Sequence, residues 1–230
     1  MEPEPDKTLP RHLGIIIDGN RRWAKERGLP TLEGHKRGFE AVKEIIKATK
    51  ERGIKILTIF CFSTENWNRS KEEVGYLMNL MEKSLEDYFE NFKNQDIRIQ
   101  IIGQKERFSP SIQEKIARVE RDTEKNKTMT VNLAMSYGGR AELVEALKNI
   151  IKKGIKPDDI TEQTIKDNLW TTDVDLVIRT GGEQRLSGFL LWQVAYSEFL
   201  FVPKYWPDFS EADLDAALAD YASRQRRFGK

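Results

Sequence analysis

A chain of 230 residues, with 38 basic and 37 acidic side chains and a net charge of +1, is large enough for one well-filled domain and offers no electrostatic reason to bind nucleic acid or an anionic membrane surface. Its single cysteine, Cys61, excludes an internal disulfide framework and fits a reducing, cytoplasmic compartment. No apolar run is long enough to span a bilayer.

Residues 1–10 read as a flexible tail, acidic and proline-rich from Met1 to Lys7, and 11–230 as one domain. The apolar run His12 to Ile17 is the first strand. It stops on Asp18, turns at Gly19-Asn20 and enters a charged helical pattern. Phe39, Val42, Ile45, Ile46 and Thr49 share the face of a helix ending near Gly53. Lys55 to Phe62 is the second strand. Ser70 and Glu73 form a capping box opening a helix from Lys71 to Phe92. Ile97 to Ile102 is a strand, Ser111 to Glu124 a helix, Met129 to Ala134 a strand and Gly139 to Lys153 a helix. A shorter helix spans Thr161 to Leu169, Val174 to Ile178 and Glu198 to Val202 are the last strands, and Ser210 with Asp213 opens a final helix through Tyr221. This alternation predicts a single α/β domain with a mainly parallel six-stranded sheet flanked by helices. Sites in such folds lie beyond the carboxyl ends of the strands, which is where the polar clusters fall.

The Lys71–Phe92 helix carries a wide apolar face: Val74, Leu77, Met78, Met81, Leu85, Tyr88, Phe89 and Phe92, broadened by Tyr76 and Leu80. Core packing is one use for it. Walling an enclosed apolar tunnel is another.

Four clusters carry chemistry. In the first, Asp18, Gly19, Asn20, Arg21, Arg22 and Trp23 lie where a strand meets a helix N-terminus, which suits a phosphate. Asp18 would repel that phosphate unless a divalent cation sat between them, so the string suits a magnesium–diphosphate site, or else a corner with a solvated arginine pair. Gly34-His35-Lys36-Arg37-Gly38 adds a histidine among glycines and cations. The second cluster is Ser63, Thr64, Glu65, Asn66, Trp67, Asn68 and Arg69, either a substrate-holding loop or a polar connection anchored by Trp67. In the third, Arg179-Thr180-Gly181-Gly182 is followed by Arg185, Leu186 and Ser187, which is a second diphosphate site or a glycine turn with surface arginines. The fourth is Glu198, opening an apolar strand as a solvated end or a metal ligand.

These strings occur in the order Asp18-Gly19-Asn20-x-Arg22-Trp23-Ala24, Gly34-His35-x-x-Gly38, Phe62-Ser63-x-Glu65-Asn66-Trp67, Tyr137-Gly138-Gly139-Arg140 and Arg179-Thr180-Gly181-Gly182-Glu183-x-Arg185-x-Ser187, followed by Trp206-Pro207-Asp208-Phe209 and Arg226-Arg227-Phe228-Gly229. In this the chain resembles the cis-prenyltransferases, the undecaprenyl and dehydrodolichyl diphosphate synthase family. Arg21, where bacterial members usually have glycine, makes it more similar to archaeal and eukaryotic members and to some short-chain bacterial ones, and closer to the archaeal type.

The resemblance implies a homodimeric, Mg2+-dependent enzyme that condenses isopentenyl diphosphate with an allylic diphosphate, farnesyl or geranylgeranyl diphosphate, into a cis-polyprenyl diphosphate, the precursor of a lipid glycosyl carrier. It implies that Asp18 holds the metal and assists departure of the allylic diphosphate. Gly19, Asn20, Arg21, Arg22 and Trp23, with His35, would bind that diphosphate. Arg179, Arg185, Leu186 and Ser187 would bind isopentenyl diphosphate, and Glu198 would help with the metal from the partner subunit. Ser63, Thr64, Glu65, Trp67 and Arg69 would orient the substrates, with Asn66 near the proton lost in the condensation. A long apolar product gives a reason for peripheral membrane contact at release. Thr31 stands where many relatives have a diphosphate-binding arginine, and Gln184 where some have a histidine. The rival trans-type synthases are all-helical with paired acidic motifs, whereas Asp158-Asp159-x-x-Glu162 occurs once. A non-catalytic partner subunit would lack the Asp and Arg clusters present here.

Overall fold

The computed structural model describes residues 9–92 and 95–224, the side chains of 87–92 excepted. Most of the expected N-terminal tail, the Arg226–Gly229 string and the side chains of Tyr88, Phe89 and Phe92 lie outside the described residues. Leu9 packs on the core and Pro10 is buried, so these two belong to the domain.

The sheet comprises β1 (His12–Ile16), β2 (Ile56–Ser63), β3 (Ile97–Ile102), β4 (Met129–Tyr137), β5 (Leu176–Arg179) and β6 (Glu198–Phe201), in the order β3-β4-β2-β1-β5-β6. Every pairing is parallel. Between the strands run α1 (Asn20–Glu26), α2 (Thr31–Glu51), α3 (Lys71–Phe92), α4 (Pro110–Thr123), α5 (Gly139–Lys152) and α6 (Glu162–Lys166), and α7 (Glu211–Ser223) follows β6. A short 3-10 turn, Thr64–Asn68, joins β2 to α3.

Both sheet faces are covered, as a parallel sheet requires. Alternate residues feed two apolar layers. Leu13, Ile15, Leu57, Ile59, Leu176 and Ile178 point into the layer that includes side chains of α2, α3, α4 and α7. Ile16, Phe60, Ala134 and Val177 point into the other, with Tyr137, Phe189 and Leu190.

The chain leaves β1 towards β2 on one side and returns to β5 on the other. The crevice between the ends of β1 and β5 is therefore the switch point of the sheet, where parallel α/β folds place their ligands. The register Ile16↔Arg179 brings the third sequence cluster beside the first.

α2 begins at Thr31, earlier than its apolar periodicity suggests, because Gly34 and Gly38 lie inside it. They form a bare stripe on which α1 rests. A side chain at Gly34 would collide with the Asn20 carbonyl oxygen, and one at Gly38 with the Asn20 amide.

Candidate active site

Asp18 leaves β1 with its backbone clamped by one buried hydroxyl. Thr180 Oγ1 accepts from the Asp18 N–H at 3.0 Å and donates to the Asp18 carbonyl at 2.8 Å. Gly19 follows with φ +111°, and a Cβ there would meet the Tyr205 ring at 2.6 Å, so only glycine fits. Trp23 N–H bonds the Gly19 carbonyl at 2.8 Å, and the earlier N–H groups of α1 have no helical acceptor.

Arginines converge on this corner. Arg179, whose side chain is 4% exposed, donates from Nη2 to the Asp18 carboxylate at 2.9 Å. Its Nη1 donates to Ser187 Oγ at 3.0 Å and to the Arg185 carbonyl, while its Nε has no partner. Arg22 lies 3.2 Å from the other Asp18 oxygen and 3.4 Å from Glu183, with its guanidinium over the Tyr205 ring. Arg185 pairs with Glu183 at 2.5 Å. Arg21, Arg69, Thr31 and Lys25 complete an open polar cleft. Four arginines and Lys25 line the cleft against Asp18 and Glu183, with Arg179 buried behind Asp18, and leave it net positive, which suits a multiply charged anion.

An apolar cavity of about 90 Å³ adjoins the cleft, sharing Ile17 and Asn20 with it. α2 supplies His35, Gly38, Phe39 and Val42 to its wall, and α3 supplies Leu77, Met78, Leu80, Met81, Ser84 and Leu85. Burial pushes the Cys61 thiol in this wall up to about 12, which leaves it inert. His35 in the same wall has its pKa lowered by burial, against the raising effect of its hydrogen bond to Glu73 at 3.2 Å.

The sequence matches, over residues 16–229, the family described as "Putative undecaprenyl diphosphate synthase". The chain belongs to this family. It is 49% identical over 224 residues to an isoprenyl transferase of Chromobacterium violaceum, covering 96% of this chain and 88% of that one. It is 46% identical over 226 residues to an isoprenyl transferase of Thermotoga maritima, covering 96% and 97%. Among solved structures it is similar to lavandulyl diphosphate synthase from Lavandula x intermedia in complex with dimethylallyl diphosphate, with TM-score 0.94, 44% identity and coverage of 98% and 100%. It is also similar to a probable undecaprenyl diphosphate synthase from Campylobacter jejuni, with TM-score 0.83, 33% identity and coverage of 96% and 99%.

Within this undecaprenyl diphosphate synthase-family domain, several side chains do not face the cleft as the sequence suggests. Trp23 turns its indole N–H to Asp208 at 2.7 Å, and Arg27 stacks on its ring, so Trp23 fastens α1 to the Trp206–Asp208 turn. Trp67 donates to Ser136 at 2.9 Å and packs edge-on against Phe62, an anchor for the loop. Leu186 packs into the apolar layer around Phe189. Thr64 lies against Gly138 at the end of β4, and Glu65 is exposed. Asn66 accepts the Ser63 N–H at 3.1 Å through Oδ1, while the Ser63 hydroxyl caps the Asn66 N–H. What Asn66 has left to offer is its amide N–H, a donor and not a base.

Glu198 sits level with Leu176, at the opposite end of the sheet from Asp18, and pairs with Arg224 at 2.9 Å. This chain does not bring Glu198 to Asp18. The Tyr137-Gly138-Gly139-Arg140 string serves the scaffold: buried Glu142 accepts from the Tyr137 hydroxyl, from Gln193 at 3.0 Å and from the Trp170 N–H at 2.8 Å.

The sequence alone gives Thr180, Glu183 and Tyr205 no role, and Glu73 only that of a helix cap. The first two lie inside a string already singled out, and Glu73 is disguised by its place in a helix cap. A metal is also suited by the donors here. Among the described residues no group of three His, Cys, Asp or Glu side chains converges. The hard carboxylate oxygens of Asp18 and Glu183 beside an anion cleft fit Mg2+, which takes one or two carboxylates and fills its octahedron with water and substrate phosphate.

Proposed function

We propose that the chain condenses isopentenyl diphosphate with an allylic diphosphate, farnesyl or geranylgeranyl diphosphate, and makes a cis-polyprenyl diphosphate for a lipid glycosyl carrier. The observation that carries this is the shared boundary of the two cavities: Ile17 and Asn20 line both the arginine-rich cleft and the apolar cavity. A ligand filling both has an anionic head and a hydrocarbon tail. The dimethylallyl diphosphate in the related lavandulyl diphosphate synthase is a ligand of that kind.

Arg21, Arg22 and Arg69, with the first N–H groups of α1, hold the allylic diphosphate. Arg179, Arg185 and Ser187 hold isopentenyl diphosphate, so the two substrates meet at Asp18. The allylic carbon–oxygen bond breaks with its electron pair leaving on diphosphate, and the double bond of isopentenyl diphosphate supplies the electrons for the new carbon–carbon bond. A proton is then lost from the adduct, and Asn66 orients this end through its amide N–H. Asp18 is the residue that would hold Mg2+, which when bound neutralises charge on the leaving diphosphate. Val144, Leu147 and Ile151 on α5, 51%, 52% and 74% exposed, offer an apolar stripe to the second copy of the proposed homodimer. Glu198 would reach the metal only from such a copy. No helix among the described residues is long and apolar enough to cross a membrane. A cytoplasmic setting with peripheral membrane contact at product release belongs to the same proposal.

The cavity volume favours a second reading, a short product. At about 90 Å³ the cavity is smaller than the roughly 150 Å³ cavity that takes up benzene. A cavity of this size accommodates the near end of a prenyl chain, and a long product needs more apolar space than it encloses. Purified protein with Mg2+, labelled isopentenyl diphosphate and dimethylallyl, farnesyl or geranylgeranyl diphosphate tests both readings. A ladder ending on one long product supports the polyprenyl reading, a single short product the alternative. No incorporation by a folded dimer overturns both.

A further inference from the structure

Glu73 lies in the first turn of α3 and lines neither the cleft nor the apolar cavity. Its side chain is 11% exposed. Its N–H donates to Ser70 Oγ at 3.2 Å, as in a helix cap, but its carboxylate is turned towards groups from three other segments. Arg69 Nη1, in the loop before α3, donates to it at 2.9 Å. His35 Nε2, on α2, is 3.2 Å away, and Arg21 Nε, on α1, is 3.9 Å away. Arg21 and Arg69 line the cleft, and His35 lines the apolar cavity.

Resting on the allylic diphosphate reading above, we propose that Glu73 is a positioning residue for that diphosphate. Two arginines side by side repel one another, and each long side chain has many rotamers to lose. A nearly buried carboxylate beside them offsets the repulsion, holding the Arg69 guanidinium by a hydrogen bond and attracting that of the more exposed Arg21 across 3.9 Å. Both side chains still line the cleft. The same carboxylate accepts from His35 Nε2 and so ties α2 to the first turn of α3. The head of the substrate and the wall that meets its tail are thereby registered through one side chain.

The test is Glu73→Gln, with Glu73→Asp as the conservative variant, measured against wild type. In Glu73→Gln the KM for the allylic diphosphate rises about tenfold, the loss expected for one charge-assisted positioning contact, while kcat moves less and the KM for isopentenyl diphosphate stays put. Inorganic diphosphate, titrated calorimetrically with Mg2+, binds the variant weaker by the same factor, and Glu73→Asp recovers part of it. An unchanged KM, or equal rises for both substrates, overturns the proposal. The calorimetric arm does not depend on turnover. A wild-type chain inactive with every allylic diphosphate sinks the synthase reading, whereas equal binding of inorganic diphosphate by wild type and Glu73→Gln sinks the role of Glu73 alone.

Discussion

Arg179 and Asp18 stand 2.9 Å apart at the joint where β5 and β1 end side by side, and the arginine is the more deeply buried of the two. An unpaired buried guanidinium is costly, so Asp18 has a structural duty beside the chemical one proposed for it. Asp18→Asn keeps the shape and one acceptor but removes the charge. Turnover should fall by at least about a hundredfold, while stability drops by only about 1–2 kcal/mol because Asp18 is partly solvated. Steady-state rates with a urea titration check this; near-normal turnover would remove Asp18 from the reaction.

The bare stripe under α1 makes Gly34→Ala an overpacking change. The added methyl has no room beside the Asn20 carbonyl, so α1 must lift. The expected cost is about 1–3 kcal/mol by denaturant unfolding. Because Arg21 and Arg22 ride on α1, the KM for the allylic diphosphate should rise as well. A variant with native stability and native KM would mean that α1 is free to shift.

Leu85 is fully buried and faces the apolar cavity from α3. Leu85→Ala should lengthen the product and cost about 2–4 kcal/mol, and Leu85→Phe should shorten it. Chromatographic sizing of the products decides; equal lengths in both variants would show that the growing chain does not reach Leu85.

His12 gives the fold a pH dependence. Its Nδ1–H donates to the Asp173 carbonyl at 3.0 Å, and its Nε2 accepts from the Thr58 hydroxyl at 2.7 Å, so it is held neutral. Burial lowers its pKa from 6.5 to about 4, against the raising effects of Asp173 and Asp175. The unfolded chain therefore takes up the proton first. The contribution is complete above pH 6.5 and is lost as the pH falls from 6.5 to 4, by about 3 kcal/mol in all. Urea midpoints at pH 7, 5.5 and 4.5, compared with His12→Asn, measure it. Parallel pH profiles for the two proteins would contradict it.

The strands and the span of α3 were legible because apolar periodicity is a local signal and each strand is buried on a single register. α6 ends at Lys166, short of the expected Leu169, because the Asn168 amide bonds back to the Thr164 carbonyl at 2.8 Å. The convergence of Arg179, Ser187 and Asp18 was legible as strings, since they follow the ends of adjacent strands. Side-chain direction was not. Trp23 and Trp67 fall in the right strings yet face Asp208 and Ser136, partners far away along the chain. Glu73 satisfies a local capping pattern and a long-range electrostatic one at once, and only the second requires knowing that α1 and α2 come to rest beside it.

Ile17 and Asn20 belong to both the charged cleft and the oily pocket behind it. A molecule gripped by its head at that seam has a fixed zero mark, from which its tail can extend in one direction only. If the proposed synthase reading holds, each five-carbon addition would advance the tip by the same increment, and whatever side chain the tip met would act as the stop of a ruler. On that reading counting would be a property of the apolar walls supplied by α2 and α3, separate from the bond-making assigned to Asp18, and either could be altered without rewriting the other.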